Sequence, residues 1–189
     1  MSTIRIAAIP GSLRRDSLNR AALHAAAEMA PEGMEITIHD LDGIPLYNAD
    51  DEAARGFPPQ VTALRKAVAE ADAILIATPE YNASVPGALK NAIDWLSRGP
   101  DSPLDDKPGA VFGAGGRFGT IRAQLHLREI LLHNRVELVG SPQVAIDNAS
   151  TRFDTELRLV EDRYRGQLAQ LMKALARLVQ RRLAATRNG

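Results

Sequence analysis

The sequence predicts an α/β protein built on a doubly wound, five-stranded parallel sheet with helices on both faces. Two observations point there: five short runs rich in β-branched and aliphatic residues recur along the chain, and stretches with helical apolar spacing alternate with them. The composition agrees. With 189 residues, 45% of them hydrophobic, the chain suits one domain over residues 1–189, able to bury roughly 70% of its unfolded surface.

The first strand-like run is Ile4 to Ile9, and the alanine-rich stretch Asn19 to Met29 after it carries apolar residues three and four apart, as an amphipathic helix does. Glu35 to Asp40 reads as the second strand. Pro45, Gly56, Pro58 and Pro59 punctuate residues 42–60, which read as a long surface connection. Val61 to Ala71 is helical, with Val61, Leu64 and Val68 on one face. The third strand, Ala73 to Thr78, is broken by Pro79 and Asn82; Pro86 and Gly87 then open a helix whose face holds Val85, Leu89, Ile93 and Leu96. Ala110 to Ala114 is the fourth strand. The helix after it is apolar on more than one stripe around Leu125, Leu127, Ile130, Leu131 and Leu132, which suits burial against a partner as well as a deeply buried helix. A weaker fifth strand runs from Glu137 to Ile146. Leu157, Val160, Tyr164, Leu168, Leu171, Leu175 and Val179 share the face of a long terminal helix, whose basic end, Arg177 to Arg187, reads as solvated. Parallel strands need crossovers, and the crossovers cover the sheet. Ligands of such sheets sit beyond the carboxyl ends of the strands, where strand order reverses, so the loops after strands one, three and four matter most.

Charge and cysteine usage narrow the chemistry. Lys plus Arg and Asp plus Glu are both 23, which gives no electrostatic pull toward nucleic acid or an anionic membrane. Absence of cysteine excludes disulfides, thiol catalysis and thiolate metal sites. The start of the chain lacks a basic region followed by an apolar stretch, and no run approaches a membrane span, so a cytoplasmic location is expected.

The loop Pro10-Gly11-Ser12-Leu13-Arg14-Arg15-Asp16-Ser17-Leu18-Asn19 leaves a strand and enters a helix carrying hydroxyls and arginines. A helix N-terminus with such side chains suits a lone phosphate, although an ordinary Ser or Asn cap with Gly11 in the turn suits the same residues. It is not a Walker loop, because Asp16 stands where its second glycine belongs. Residues 113–119, Gly-Ala-Gly-Gly-Arg-Phe-Gly, nearly match a dinucleotide fingerprint but place Phe118 at the third glycine; what survives is backbone able to lie against a flat ligand, or a plain glycine-rich turn. Tyr81 and its neighbours would border a planar heterocycle. The ligand with both a phosphate tail and a planar, hydrogen-bonding head is flavin mononucleotide (FMN).

Three segments, "GSLRRDSLNR", "PEYNASVPGALKNAIDWLSR" and "GGRFGTIRAQLHLR", resemble in order the motifs of the flavodoxin-like NAD(P)H-dependent FMN reductases, a family that includes quinone and chromate reductases. The resemblance implies a flavodoxin-like fold with Ser12, Arg14, Ser17, Leu18 and Asn19 at the FMN phosphate. It also implies Pro79, Glu80, Tyr81, Asn82 and Ser84 along the isoalloxazine, and Gly115, Gly116, Arg117 and Gly119 near its pyrimidine end. The chain departs from the family pattern at Thr120, in the second place of what is often a Gly-Gly pair, and at Leu125 and Gln143, where some relatives carry Tyr and Glu. The implied activity is hydride transfer from NADH or NADPH to bound FMN, then electron transfer to small acceptors such as quinones, free flavin, ferric chelates or chromate. The implied assembly is a homodimer or homotetramer.

Because the flavin carries the chemistry, no catalytic residue and no metal site are expected. Glu80 reads as an exposed or helix-capping carboxylate, His126 and His133 as packing or surface residues, and Arg117 and Arg98 either as cations that would stabilise reduced flavin or steer nicotinamide phosphate or as ordinary surface arginines. Two other readings remain: an electron carrier of flavodoxin type, and a flavin-binding interaction or sensor module without NAD(P)H turnover.

Overall fold

The computed structural model of the protein describes residues 3–187. The strands are β1 (Ile4–Pro10), β2 (Met34–Ile38), β3 (Ala73–Ala77), β4 (Pro108–Ala114), β5 (Glu137–Leu138) and β6 (Val144–Ile146). The helices are α1 (Leu18–Glu28), α2 (Ala49–Arg55), α3 (Pro59–Glu70), α4 (Gly87–Leu96), α5 (Ile121–His133) and α6 (Asp162–Arg187). All pairings between the strands are parallel, in the order β2-β1-β3-β4-β5, with β6 also on β4. The expected flavodoxin-like winding is therefore observed, and order reverses between β1 and β3.

The period of two along each strand sorts side chains onto two faces. Ile6 and Ala8 of β1, Leu75 of β3 and Phe112 of β4 face α1 and α6, where they meet Leu23, Leu168 and Leu175. Ala7 and Ile9, Ile74 and Ile76, and Val111 face α3, α4 and α5, against Leu64, Val68, Leu89, Ile93, Leu127 and Leu131. Both faces are thus covered, which is why β3 and β4 are apolar throughout rather than alternating.

Three expectations need correction. The connection over residues 42–60 contains α2, whose N-cap Asn48 accepts the Asp50 N–H and whose first turn holds Asp50, Asp51 and Glu52, the charges a positive helix end favours. The single fifth strand is two pieces: β5 continues the sheet beside Pro108 and Gly109, and β6 pairs with residues 112–114 of the same β4. The terminal helix begins at Asp162, so Leu157 and Val160 lie outside it; Leu157 has a left-handed φ of 61° in a turn closed by a bridge between Phe153 and Leu159. The helical period ran on by accident through that turn.

On α5, Leu127 and Leu131 are buried, whereas Leu125 and Leu132 are 50% and 73% exposed; its second apolar stripe faces outward. Of the basic end of α6, Arg177 and Arg181 are exposed and Arg182 lies within ion-pair distance of Asp106 and Glu137. Among the described residues, no helix is long and apolar enough to cross a membrane.

Candidate functional site

A cleft of about 340 Å³ opens at the carboxyl edge of the sheet, within the size range of small-molecule sites. Its floor forms where strand order reverses: the Gly11 N–H donates to Ala77 O at 2.8 Å, joining the loop after β1 to the end of β3.

One end of the cleft is the start of α1. Ser17 is its N-cap, and Ser17 Oγ accepts the Arg20 N–H at 3.3 Å. That leaves the hydroxyl proton free to donate, and the N–H groups of Leu18 and Asn19, in the first turn, have no preceding helical carbonyl to bond. Ser12 Oγ accepts the Arg14 N–H at 3.3 Å and lies 3.4 Å from Tyr81 Oη, so the first and third loops meet. The Arg14 guanidinium is exposed and has no ion pair among the described residues. Asp16 is exposed and does not line the cleft.

Asn19 lines the cleft, and its side chain has a structural task there as well. Buried to 3% exposure, it donates from Nδ2 to Ala114 O at 2.9 Å and accepts the Ala114 N–H at Oδ1, also at 2.9 Å. Oδ1 and one of the two Nδ2 hydrogens thus tie α1 to the end of β4. The Asn19 backbone N–H and the second Nδ2 hydrogen are not used in that tie.

The other end has two walls. Pro79, Glu80 and Tyr81 form the first. Beyond them Tyr81 and Ser84 exchange backbone hydrogen bonds of 3.1 and 3.0 Å around Asn82 and Ala83, whose φ values of 49° and 61° make a tight two-residue turn. Tyr81 is 47% exposed at the mouth. Asn82 and Ser84 were expected along the ring but lie outside the cleft lining; Ser84 Oγ instead meets His126 Nδ1 at 3.0 Å on α5.

Ala114, Gly115 and Gly116 form the second wall. The Gly119 N–H closes a turn onto Gly116 O at 2.9 Å, and Gly119 itself has φ 60°, a conformation natural to glycine. Arg117 and Gly119, expected near the ring, are not in the lining: Arg117 is exposed at the tip of the turn, 5.5 Å from the Phe118 ring centre, and Gly119 is buried against Ala145. Arg98 lies at the far end of α4, bonded to Asp94 O and Ser97 Oγ and stacked on Tyr47.

Three rim residues carried no sequence signal beyond following an apolar run: Asn148, Ala149 and Ser150. They arrive because the backbone after β6 is pinned under the glycine turn. Gly115 N–H donates to Ile146 O at 3.0 Å, Asn148 N–H to Gly116 O at 2.9 Å, and Ala149 N–H to Gly115 O at 2.8 Å.

Glu80 caps a helix, as its sequence context suggested, although the helix is α5. Burial pushes its carboxyl upward, but the hydrogen bonds from the Arg122 side chain and the Ala123 and Arg122 N–H groups, with the Arg122 charge, outweigh burial and hold it below the usual range. Glu80 therefore stays ionised near neutral pH and has no proton to give. Among the described residues no cluster of three or more His, Cys, Asp or Glu could hold a metal.

The donor set tests whether FMN fits. Two hydroxyls, two first-turn N–H groups and an unpaired guanidinium converge at one end, which is what a phosphate dianion needs. The other end is a slot between backbone and an aromatic ring, and a Cβ built on Gly116 would meet nothing within 4 Å, so that wall is open for a flat group. A second crevice, of about 270 Å³ at the amino edge of the sheet, lacks this: Lys107 Nζ there donates to Ala71 O at 2.7 Å, and Asp72 accepts the Arg5 N–H at 2.7 Å.

Comparison with known proteins agrees with the geometry. Residues 4–151 match the family model of NADPH-dependent FMN reductases. The chain is 49% identical over 179 residues to an NAD(P)H-dependent FMN reductase of Pseudomonas aeruginosa, covering 94% of this chain and 96% of the relative. It is 39% identical over 181 residues to a 2-hydroxy-1,4-benzoquinone reductase of a Burkholderia species, covering 95% and 98%. Among solved structures, the flavoenzyme NAD(P)H:(acceptor) oxidoreductase FerB of Paracoccus denitrificans superposes with a TM-score of 0.85 at 30% identity, covering 95% of this chain and 98% of that one.

Proposed function

The chain belongs to the family of NADPH-dependent FMN reductases, and on that premise we propose that it is an FMN-containing NAD(P)H-dependent oxidoreductase acting on quinones. The single observation that carries this is the convergence of phosphate donors and a flat slot in one cleft at the switch point of the sheet. Ser12, Ser17, Arg14 and the first-turn N–H groups of α1 hold the phosphate. Pro79 to Tyr81 and Ala114 to Gly116 flank the ring, and Asn148 to Ser150 close the rim. The chemistry that FMN supplies when bound is uptake of hydride from a nicotinamide and delivery of electrons to an acceptor. The protein positions the ring and leaves the mouth open beside Tyr81, where donor and acceptor take turns.

The Glu80 carboxylate at the mouth is committed to α5. Small acceptors that reach the open mouth, with solvent to supply the protons that reduction of a quinone takes up, suit the site: quinones, free flavin, ferric chelates and chromate. The quinone preference also follows the relatives named as quinone reductases. A cytoplasmic location and one functional unit over residues 1–189 complete the reading. A homodimer or homotetramer is supported by the exposed apolar residues Phe118, Leu125 and Leu132 on and beside α5.

The test is anaerobic reduction of the purified protein by NADH and by NADPH, followed by quinone. Loss of flavin absorbance near 450 nm (about that wavelength for flavins in general) and its recovery with quinone are expected. A protein that cannot be loaded with FMN, or whose flavin neither nicotinamide reduces, overturns the reading; the second outcome would favour an electron carrier.

A further inference from the structure

α5 begins without a cap of its own. Its N-cap, Thr120, makes no capping hydrogen bond; Thr120 Oγ1 accepts from Gln124 Nε2 at 3.1 Å instead. The N–H groups of the first turn nevertheless need acceptors. They find them in the loop after β3: Glu80 Oε2 accepts the Arg122 N–H at 3.0 Å and the Ala123 N–H at 3.2 Å. Glu80 Oε1 takes the Arg122 side chain, at 2.7 Å from Nε and 2.5 Å from a terminal nitrogen. The carboxylate is 9% exposed, whereas the Arg122 side chain is 53% exposed. The buried part of this contact is therefore the cap, and the ion pair is its wet outer edge.

What this cap joins matters more than its strength. Pro79 and Tyr81, on either side of Glu80, make one wall of the slot; Ala114 to Gly116 make the other, and the turn over residues 117–120 leads from them into α5. Deep in the sheet the walls are joined by Thr78 N–H to Phe112 O at 2.9 Å. Near the mouth, the side-chain ties between the 80–84 segment and α5 are the Glu80 cap and Ser84 to His126.

We propose that Glu80 is a positioning residue that, by capping α5 from the loop after β3, sets the separation of the two walls and hence the fit of the flavin ring. This rests on the reading of the cleft as an FMN site. Glu80 acts through α5 and neither donates nor accepts a proton in turnover.

The experiment compares wild type, Glu80→Ala, Glu80→Gln and Arg122→Gln after removal of flavin. Each is titrated with FMN and with riboflavin by fluorescence, and visible circular dichroism is recorded at saturating FMN. For Glu80→Ala, both ligands should weaken tenfold or more and by the same factor, because the loss is on the ring and riboflavin shares the ring but not the phosphate. Glu80→Gln, whose amide oxygen still accepts one N–H, should recover part of that loss. Arg122→Gln, which leaves the backbone cap in place, should change either affinity less than threefold. At saturation the visible band of bound flavin should differ from wild type in Glu80→Ala and match it in Arg122→Gln, a difference that lowered stability alone would not produce. If Glu80→Ala does not fold, Glu80→Gln must still weaken both flavins more than Arg122→Gln does.

Affinities within threefold of wild type in Glu80→Ala, unequal losses for the two flavins, or a wild-type band at saturation would each overturn the proposal. A wild type that binds neither flavin removes the FMN reading and this inference together; a wild type that binds both, with an indifferent Glu80→Ala, removes the inference alone.

Discussion

The two ends of the cleft are built in different ways. The proposed phosphate end is mostly local: residues 12–19 supply its hydroxyls, its guanidinium and its free N–H groups within one strand-to-helix passage, and the N–H groups that Ser12 and Ser17 accept are two and three residues away, with Tyr81 Oη as the remote contact of Ser12. The ring end is assembled from remote pieces, with Glu80 reaching α5 over 42 and 43 residues and Asn19 reaching β4 over 95. A local end can lose a contact and cost only ligand affinity. A stitched end shares its contacts with the fold, so damage there lowers stability and affinity together.

The strongest way to break this contrast is at Gly113. A Cβ there would overlap Thr120 Oγ1 and the backbone oxygen of Thr78, and the oxygen cannot move without shifting β3. Gly113→Ala should cost about 3 kcal/mol or more in urea unfolding. Asn19→Ala comes next: it strands a buried N–H and a buried C=O of Ala114, and should cost about 2–3 kcal/mol by the same measurement while loosening the ring end. At the phosphate end the pattern should invert. Ser12→Ala and Arg14→Ala should each weaken FMN by about 1–3 kcal/mol and leave riboflavin affinity unchanged. Their unfolding midpoints should stay within about 0.5 kcal/mol of wild type. Unfolding losses equal to those of Asn19→Ala would erase the distinction. The smallest effect lies at Ala83, a side chain held at φ 61°. Ala83→Gly removes that strain and should raise stability by about 0.5–1 kcal/mol, read as a shift in thermal midpoint.

Much of the local end was legible. Ser17 followed by the alanine-rich helix is a cap signal, and Ser12 and Arg14 sit where hydroxyl and charge serve a helix start. The same signal was present and passed over at Asn48, where an Asn followed by Asp50, Asp51 and Glu52 announces α2; the surrounding prolines outweighed it. Asn148 to Ser150 had no comparable mark, because they reach the rim through backbone hydrogen bonds that any residue can make. Asn19 carried an incomplete one: a polar side chain in a polar loop reads as a ligand, and only the position of β4 shows that its amide also ties α1 to that strand.

By itself, the amino-acid order determined the alternating strands and helices, the covered sheet and the phosphate-ready entrance to α1. These depend on periodicity and on groups within one helical turn of one another, where chain connectivity alone sets the geometry. Tertiary structure decided which carboxylate caps α5, which amide clamps β4, and which of the expected residues turn away from the slot. Those outcomes depend on hydrogen bonds between segments far apart in the chain, and such partners are selected by the packing of the sheet rather than by any pattern along it.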